Sequence, residues 1–200
     1  MLPTPRDVVT TQDTGTPLAE TAEAHLVGRI AGGELHAFEQ LYRAYHPRLT
    51  RFLDRVTRRP GLVGELRNDT MLVVWNRAGT YNGRCKVSTW IFAIAYRKAM
   101  KALGRWDEPV QDEPDDDPAP SETGPDQHLA QSQLRAALAQ ALGQLSLEQR
   151  AVVHLTYLHG MGYREIGEII GCPVDTVKTR MFHARRRLKT LLAGRMEDWL

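Results

Sequence analysis

Residues 108–125 hold five prolines, a run of acidic side chains and almost no large apolar residue. Such a stretch cannot bury enough surface to offset its ordering entropy. Whatever folds in this 200-residue chain therefore folds on either side of it. The expected division is a mobile, Thr- and Pro-rich tail at 1–22, a first unit at 23–106, a linker at 107–127 and a second unit at 128–200.

Both units read as helical. In the first, Leu26 and Ile30 share a face, Gly32-Gly33 breaks the chain, and Phe38, Leu41, Tyr42 and Tyr45 resume at helical spacing. Leu49, Phe52, Leu53 and Val56 continue past Pro47, which is expected to mark a joint. Leu62, Leu66, Met71 and Val74-Trp75 suggest another helix. The polar residues 76–86 read as a loop. Ser88 or Thr89 is the expected cap of a helix bearing Trp90, Ile91, Ile94, Ala95, Ala99 and Leu103. In the second unit Leu134, Leu138, Ala141, Leu142 and Leu145 form a stripe, and Ser146 to Gln149 has capping-box spacing. No strand-like alternation of useful length occurs. The fold class is all-α, two small helical domains joined by a flexible acidic linker.

The net charge of +2 hides opposed blocks. Residues 107–127 carry nine acids and no base, whereas 178–195 carry seven Lys or Arg and no acid. That asymmetry points to a nucleic-acid-facing end. No apolar run approaches the roughly 18–20 residues that cross a bilayer, and the amino terminus does not read as a secretion signal. Cys85 and Cys172 form neither a disulfide framework nor metal-ligand spacing, which fits a reducing cytoplasm. Cys85, in the loop, is the one candidate reactive thiol. No phosphate-cradling Gly loop, metal cluster or nucleophile–base arrangement is evident, so neither catalysis nor a cofactor is expected.

The last segments give the sharpest pattern. Tyr163 to Ile170 reads as a short helix with Ile166, Ile169 and Ile170 inward. Gly171 is a natural terminator, and Pro173 suits the start of the next helix. A short helix, a Gly turn and a longer helix outline a helix-turn-helix. On the final helix Val174, Val177, Met181, Ala184, Leu188 and Leu191 recur at steps of three and four, so they pack inward. The opposite face presents Asp175, Lys178, Thr179, Phe182, His183, Arg186 and Lys189. A polar, basic face of this kind can read base edges in a major groove, with Arg185, Arg187 and Arg195 reaching flanking phosphates.

Leu145-Ser146-Leu147-Glu148-Gln149-Arg150-Ala151-Val152, Tyr163-Arg164-Glu165-Ile166-Gly167-Glu168-Ile169-Ile170-Gly171, Thr176-Val177-Lys178-Thr179-Arg180 and Ala184-Arg185-Arg186-Arg187-Leu188 together resemble region 4 of the sigma-70 family. The compact layout resembles its extracytoplasmic-function (ECF) group. The resemblance implies a module that recognises the −35 promoter element and touches the β flap of RNA polymerase. It implies −35 contacts by Lys178, Thr179, Phe182 and His183, on the face that periodicity selects, with Arg185 and Arg186 beside them.

The first unit carries the other half of the resemblance. Ala37-Phe38-Glu39-Gln40-Leu41-Tyr42 through His46-Pro47-Arg48-Leu49 resembles the start of region 2. Asp69-Thr70-Met71-Leu72-Val73-Val74-Trp75 resembles its polymerase-binding helix, implying that Glu65, Asp69, Leu72 and Trp75 meet the β′ clamp of the core enzyme. Ser88-Thr89-Trp90-Ile91-Phe92-Ala93-Ile94-Ala95 resembles the −10-recognising helix. Opening a promoter means holding bases outside the stack, at a few kcal/mol per step. A loop pocket flanked by aromatic and basic groups can offset that cost. Asn82, Arg84 and Lys86 in the loop, with Trp90, Arg97, Lys98 and Lys101 on the helix, are the expected −10 contacts.

The sequence departs from the ECF pattern twice. The acids usual ahead of the polymerase-binding helix are replaced by Leu62-Val63-Gly64, leaving Glu65 and Asp69. The usual asparagine of the −10 helix is Arg97. Phosphorylation of a nearby threonine such as Thr70, by a regulatory kinase, could restore negative charge. An anti-sigma factor is the other regulator that the resemblance implies. The leading expectation is an alternative sigma factor, binding core RNA polymerase and promoter DNA in the cytoplasm, away from membranes. Two other readings stay open: a stand-alone helix-turn-helix regulator, and a decoy that binds polymerase or an inhibitor without initiating transcription.

Overall fold

The computed structural model describes residues 17–104 and 125–196, with side chains for 20–104 and 134–193. Most of the expected tail and linker lies outside the described residues. Within them every regular element is helical. In order these are α1 (Pro17–Ala31), α2 (Leu35–Thr57), α3 (Pro60–Arg77), a 3-10 turn (Ala78–Thr80), α4 (Val87–Leu103), α5 (Pro125–Gly143), α6 (Leu147–Tyr157), α7 (Tyr163–Ile170) and α8 (Val174–Met196). None of the described helices is long and apolar enough to cross a membrane.

Helix α1 begins at Pro17, inside the stretch expected to be a tail, and α5 begins at Pro125, inside the expected linker. A proline opens both, because its fixed φ and missing donor suit a first turn. The expected joint at Pro47 is absent, since α2 runs unbroken through it. An interior proline costs roughly 3 kcal/mol, but the turns on both sides are anchored. Leu41, Tyr45, Leu49, Phe52 and Leu53 are all fully buried along α2.

Helix α4 differs most from expectation. It starts at Val87 with Lys86 as the residue before it, and no side chain caps it. Ser88 and Thr89 therefore lie inside the helix rather than at its cap, and Thr89 is buried. Val87, Ile91, Phe92, Ala93, Ile94, Ala95, Tyr96 and Ala99 are buried as well. A helix buried nearly all round needs partners on more than one side. Here α2 and α3 cover one side and α7 of the second half another.

The halves accordingly share one continuous apolar core. Phe52 of α2 meets Phe92 of α4 edge-on at 5.1 Å between ring centroids, and the His159 ring of the second half lies 5.9 and 4.7 Å from them. The Arg58 guanidinium lies against Gly143, where a Cβ would have to displace it. In α5 the buried side chains are Ala137 and Ala141, with Leu145 buried just beyond its end, whereas Leu134 and Leu138 of the expected stripe are exposed. Small residues let α5 lie close on α8, which turns the leucines outward.

Candidate polymerase and promoter interfaces

The helix-turn-helix is built as the sequence suggests. Gly171 ends α7 at φ 71°, ψ 41°, a left-handed conformation that costs an L side chain roughly 1–2 kcal/mol. Its N–H and that of Cys172 both donate to the Gly167 carbonyl, at 2.9 and 3.0 Å. A Cβ on Gly167 would fall 2.8 Å from the Cys172 carbonyl oxygen, so glycine is what allows the turn to fold back tightly. The box ahead of α6 is complete: the Ser146 hydroxyl accepts from the Gln149 N–H, and Gln149 Oε1 accepts from the Ser146 N–H.

Helix α8 sorts its faces sharply. Val177, Met181 and Ala184 are buried. Lys178, Thr179, Phe182, His183, Arg185 and Arg186 are all exposed, Phe182 at 62% of its surface. Phe182 and His183 meet edge-on at 5.5 Å. Lys178 reaches Asp175 at 2.9 Å, and the Thr179 hydroxyl donates to the Asp175 carbonyl. Arg185 donates twice to the Tyr157 hydroxyl, at 3.1 and 2.8 Å, and Arg187 donates to the Gln144 carbonyl. These contacts hold the guanidinium groups along the rim of the exposed face. The Arg195 side chain lies outside the described ones.

In the first half, the loop before α4 is set by its own side chains. The Asn82 side-chain oxygen Oδ1 accepts from the Arg84 N–H at 3.1 Å, an Asx turn. The Tyr81 hydroxyl donates to the Cys85 carbonyl, and its ring lies 5.4 Å from that of half-buried Trp90. Arg84, Arg97 and Lys101 are exposed. Two of the expected −10 contacts are already occupied. Lys86 pairs with Glu20 at 2.8 Å and with Glu165 of α7 at 3.3 Å. Lys98 pairs with Asp69 of α3 at 2.8 Å. Burial and the nearby Glu168 push the Cys85 thiol above its ordinary range, so it lacks the thiolate character of a reactive cysteine.

Of the expected polymerase contacts, Glu65 is exposed and Leu72 is 57% exposed. Trp75 is half-buried, edge-on to Phe38 at 5.2 Å. Leu72 and Trp75 share an open apolar depression of about 360 Å³ with Leu35, Phe38, Tyr42, Asn68 and Met71. Helical spacing places Phe38 and Tyr42 on one helix but does not reveal the depression they line. Its one sequence signal is Leu35, an apolar residue just after the Gly32-Gly33 break. Thr70 is ruled out as a surface modification site. It is fully buried, and its hydroxyl donates to the Leu66 carbonyl within α3.

Family models match both halves in order. Residues 41–107 match "Sigma-70 region 2" and residues 135–188 match "Sigma-70, region 4". The chain is 30% identical over 156 residues to an ECF RNA polymerase sigma factor, RpoE of Cereibacter sphaeroides, covering 76% of this chain and 84% of that one. The chain is an ECF sigma factor of the sigma-70 family. A second relative, the ECF sigma factor SigK of Mycobacterium sp. (strain JLS), is 29% identical over 187 residues and covers 91% of this chain and 96% of its own. In fold, this sigma factor resembles RpoE of Bartonella quintana, solved with the anti-sigma factor NepR. The TM-score is 0.60 at 23% identity, covering 78% of this chain and 96% of that one.

Proposed function

We propose that this sigma factor directs core RNA polymerase to promoters by reading a −35 element with the Lys178–His183 face of α8, and a −10 element with α4 and the loop before it. The observation that carries this reading is the sorting of α8. Val177, Met181 and Ala184 are buried against the rest of the second half, while Lys178, Thr179, Phe182 and His183 are exposed on the opposite side, where a groove could meet them. Affinity without sequence choice would come from Arg185, Arg186 and Arg187 on phosphates. The core enzyme would seat on the depression around Leu72 and Trp75, with Glu65, exposed earlier on the same helix, adding charge. An anti-sigma factor, as bound to the Bartonella quintana protein, is the proposed inhibitor.

Purified core polymerase, the full chain and fragments of the source genome test the reading together. Specific run-off transcripts that depend on the chain are expected. Core binding without any transcript would reject it in favour of a decoy, and duplex binding that ignores core polymerase would favour a stand-alone regulator.

A further inference from the structure

Helix α7 lies directly against α4. Lys86, just ahead of α4, and Thr89, Ala93 and Tyr96 within it recur at steps of three and four, so they share one face. Thr89, Ala93 and Tyr96 are buried. The second half meets that face from end to end. Lys86 Nζ lies 3.3 Å from Glu165 Oε1 of α7, Cys85 lies near Glu168, and Tyr96 lies near Glu148, Arg180 and Cys172. One turn along, the His159 ring packs 4.7 Å from Phe92 of α4 and 5.9 Å from Phe52 of α2. Glu165 is set for this contact by its own turn. Its Oε2 accepts from the Gly162 N–H at 2.9 Å, which leaves Oε1 directed at Lys86.

The same packing brings the two proposed DNA-reading helices close together. α7 touches both α4 and α8. Packed helix axes lie roughly 8–10 Å apart, so α4 and α8 come within about 20 Å of each other. Positions −35 and −10 of a promoter are about 25 base pairs apart, roughly 85 Å of duplex at ~3.4 Å per step. A chain closed in this way cannot serve both elements at once. Closure also gives Lys86 a carboxylate where a promoter would offer a phosphate.

We propose that α7 is a built-in cover for α4. In the free chain Glu165 takes Lys86 in place of a DNA phosphate and the His159 ring wedges against Phe92; α7 leaves this face when core polymerase takes up the chain. The consequence for promoters rests on the reading of α4 given above, whereas the cover itself is a matter of packing.

A carbodiimide joins an amine to a carboxylate only where the two touch, so it reports the cover directly. In the free full-length chain, tandem mass spectrometry should find Lys86 joined to Glu165. It should also find Lys98 joined to Asp69, a pair internal to the first half. In holoenzyme freed of excess chain by gel filtration, the Lys86–Glu165 product should be lost. The Lys178–Asp175 product, from a pair within α8, should remain. His159→Ala should lower the Lys86–Glu165 yield in the free chain and leave that of Lys98–Asp69 unchanged. It should also raise the radius of gyration in small-angle X-ray scattering at constant helix content. Glu165→Lys sets like charges together and should raise the radius in the same way. Absence of the Lys86–Glu165 product from the free chain while Lys98–Asp69 forms, its persistence in holoenzyme, or wild-type radii in both variants would each overturn the cover. No DNA enters these measurements, so a wrong assignment of the −10 surface would show only in the run-off assay.

Discussion

Asp69 Oδ2 lies 2.8 Å from Lys98 Nζ, an ion pair that ties α3 to α4. Under the proposed function the two residues serve different partners, Asp69 the polymerase clamp and Lys98 the DNA. Both are substantially exposed, so the pair adds at most about 1 kcal/mol to stability. Lys98→Gln should leave the melting temperature nearly unchanged, weaken promoter binding of the holoenzyme, and reduce the salt slope of binding by about 1. Asp69→Asn should weaken core binding without that change in slope. Fluorescence anisotropy over a salt series separates the two. Equal slopes for Lys98→Gln and wild type would remove Lys98 from the DNA interface.

Base reading on α8 is tested at Lys178 and Phe182. Neither packs in the core, so alanine at either position should cost little folding stability. Loss of a bidentate base contact costs about 1–3 kcal/mol and relaxes choice at one position. Lys178→Ala should approach that range, and Phe182→Ala should lose less. Competition binding against single-base −35 variants provides the measurement. Selectivity unchanged in both proteins would place the reading face elsewhere.

Arg185 and Arg187 make a different prediction, because phosphate contacts carry no sequence information. Alanine at either should weaken binding to every promoter by a similar factor and flatten the salt dependence. Tyr157→Phe removes the acceptor that holds Arg185 but keeps its charge. It should therefore weaken binding less than Arg185→Ala, with the salt slope retained. A defect confined to one promoter sequence would argue for base contact instead.

The second half was the more legible in the sequence, for a local reason. Gly171, the Ile166–Ile169 spacing and the Ser146–Gln149 box each fix structure within a few residues, and α7 begins and ends where they suggest. The inward and outward faces of α8 follow from one period. The first half depends on contacts far apart in sequence. Ser88 and Thr89 have capping chemistry, but burial of α4 on several sides decides where it starts and draws Thr89 inside. Leu134 and Leu138 looked like core by size, yet Ala137 and Ala141 take the buried face where α5 lies close on α8. The pairing of Lys86 with Glu165, and the burial of His154 and His159, depend on how the halves meet. No local pattern encodes that.

The capping box gives a stability prediction that leaves the DNA face untouched. Ser146→Ala removes the acceptor for the Gln149 N–H and should cost about 1 kcal/mol. Urea unfolding should show a lower midpoint with an unchanged slope. No loss would mean that water replaces the cap at no cost.

Gly167 and Gly171 lie on the same turn but should fail in different ways. Alanine at Gly171 meets nothing within 4 Å, so it suffers only from the positive φ, a penalty of roughly 1–2 kcal/mol. Gly167→Ala has no such backbone problem. Its Cβ would sit 2.8 Å from the Cys172 carbonyl, a backbone atom that can yield only if the turn between α7 and α8 opens. Overpacking of this kind costs about 1–3 kcal/mol, and opening the turn would re-aim α8. Gly171→Ala should therefore lower the unfolding midpoint while keeping −35 selectivity, whereas Gly167→Ala should lose stability and selectivity together. Denaturant unfolding paired with competition binding on each protein measures both. If Gly167→Ala kept full selectivity, the tight return at Cys172 would not be what aims α8.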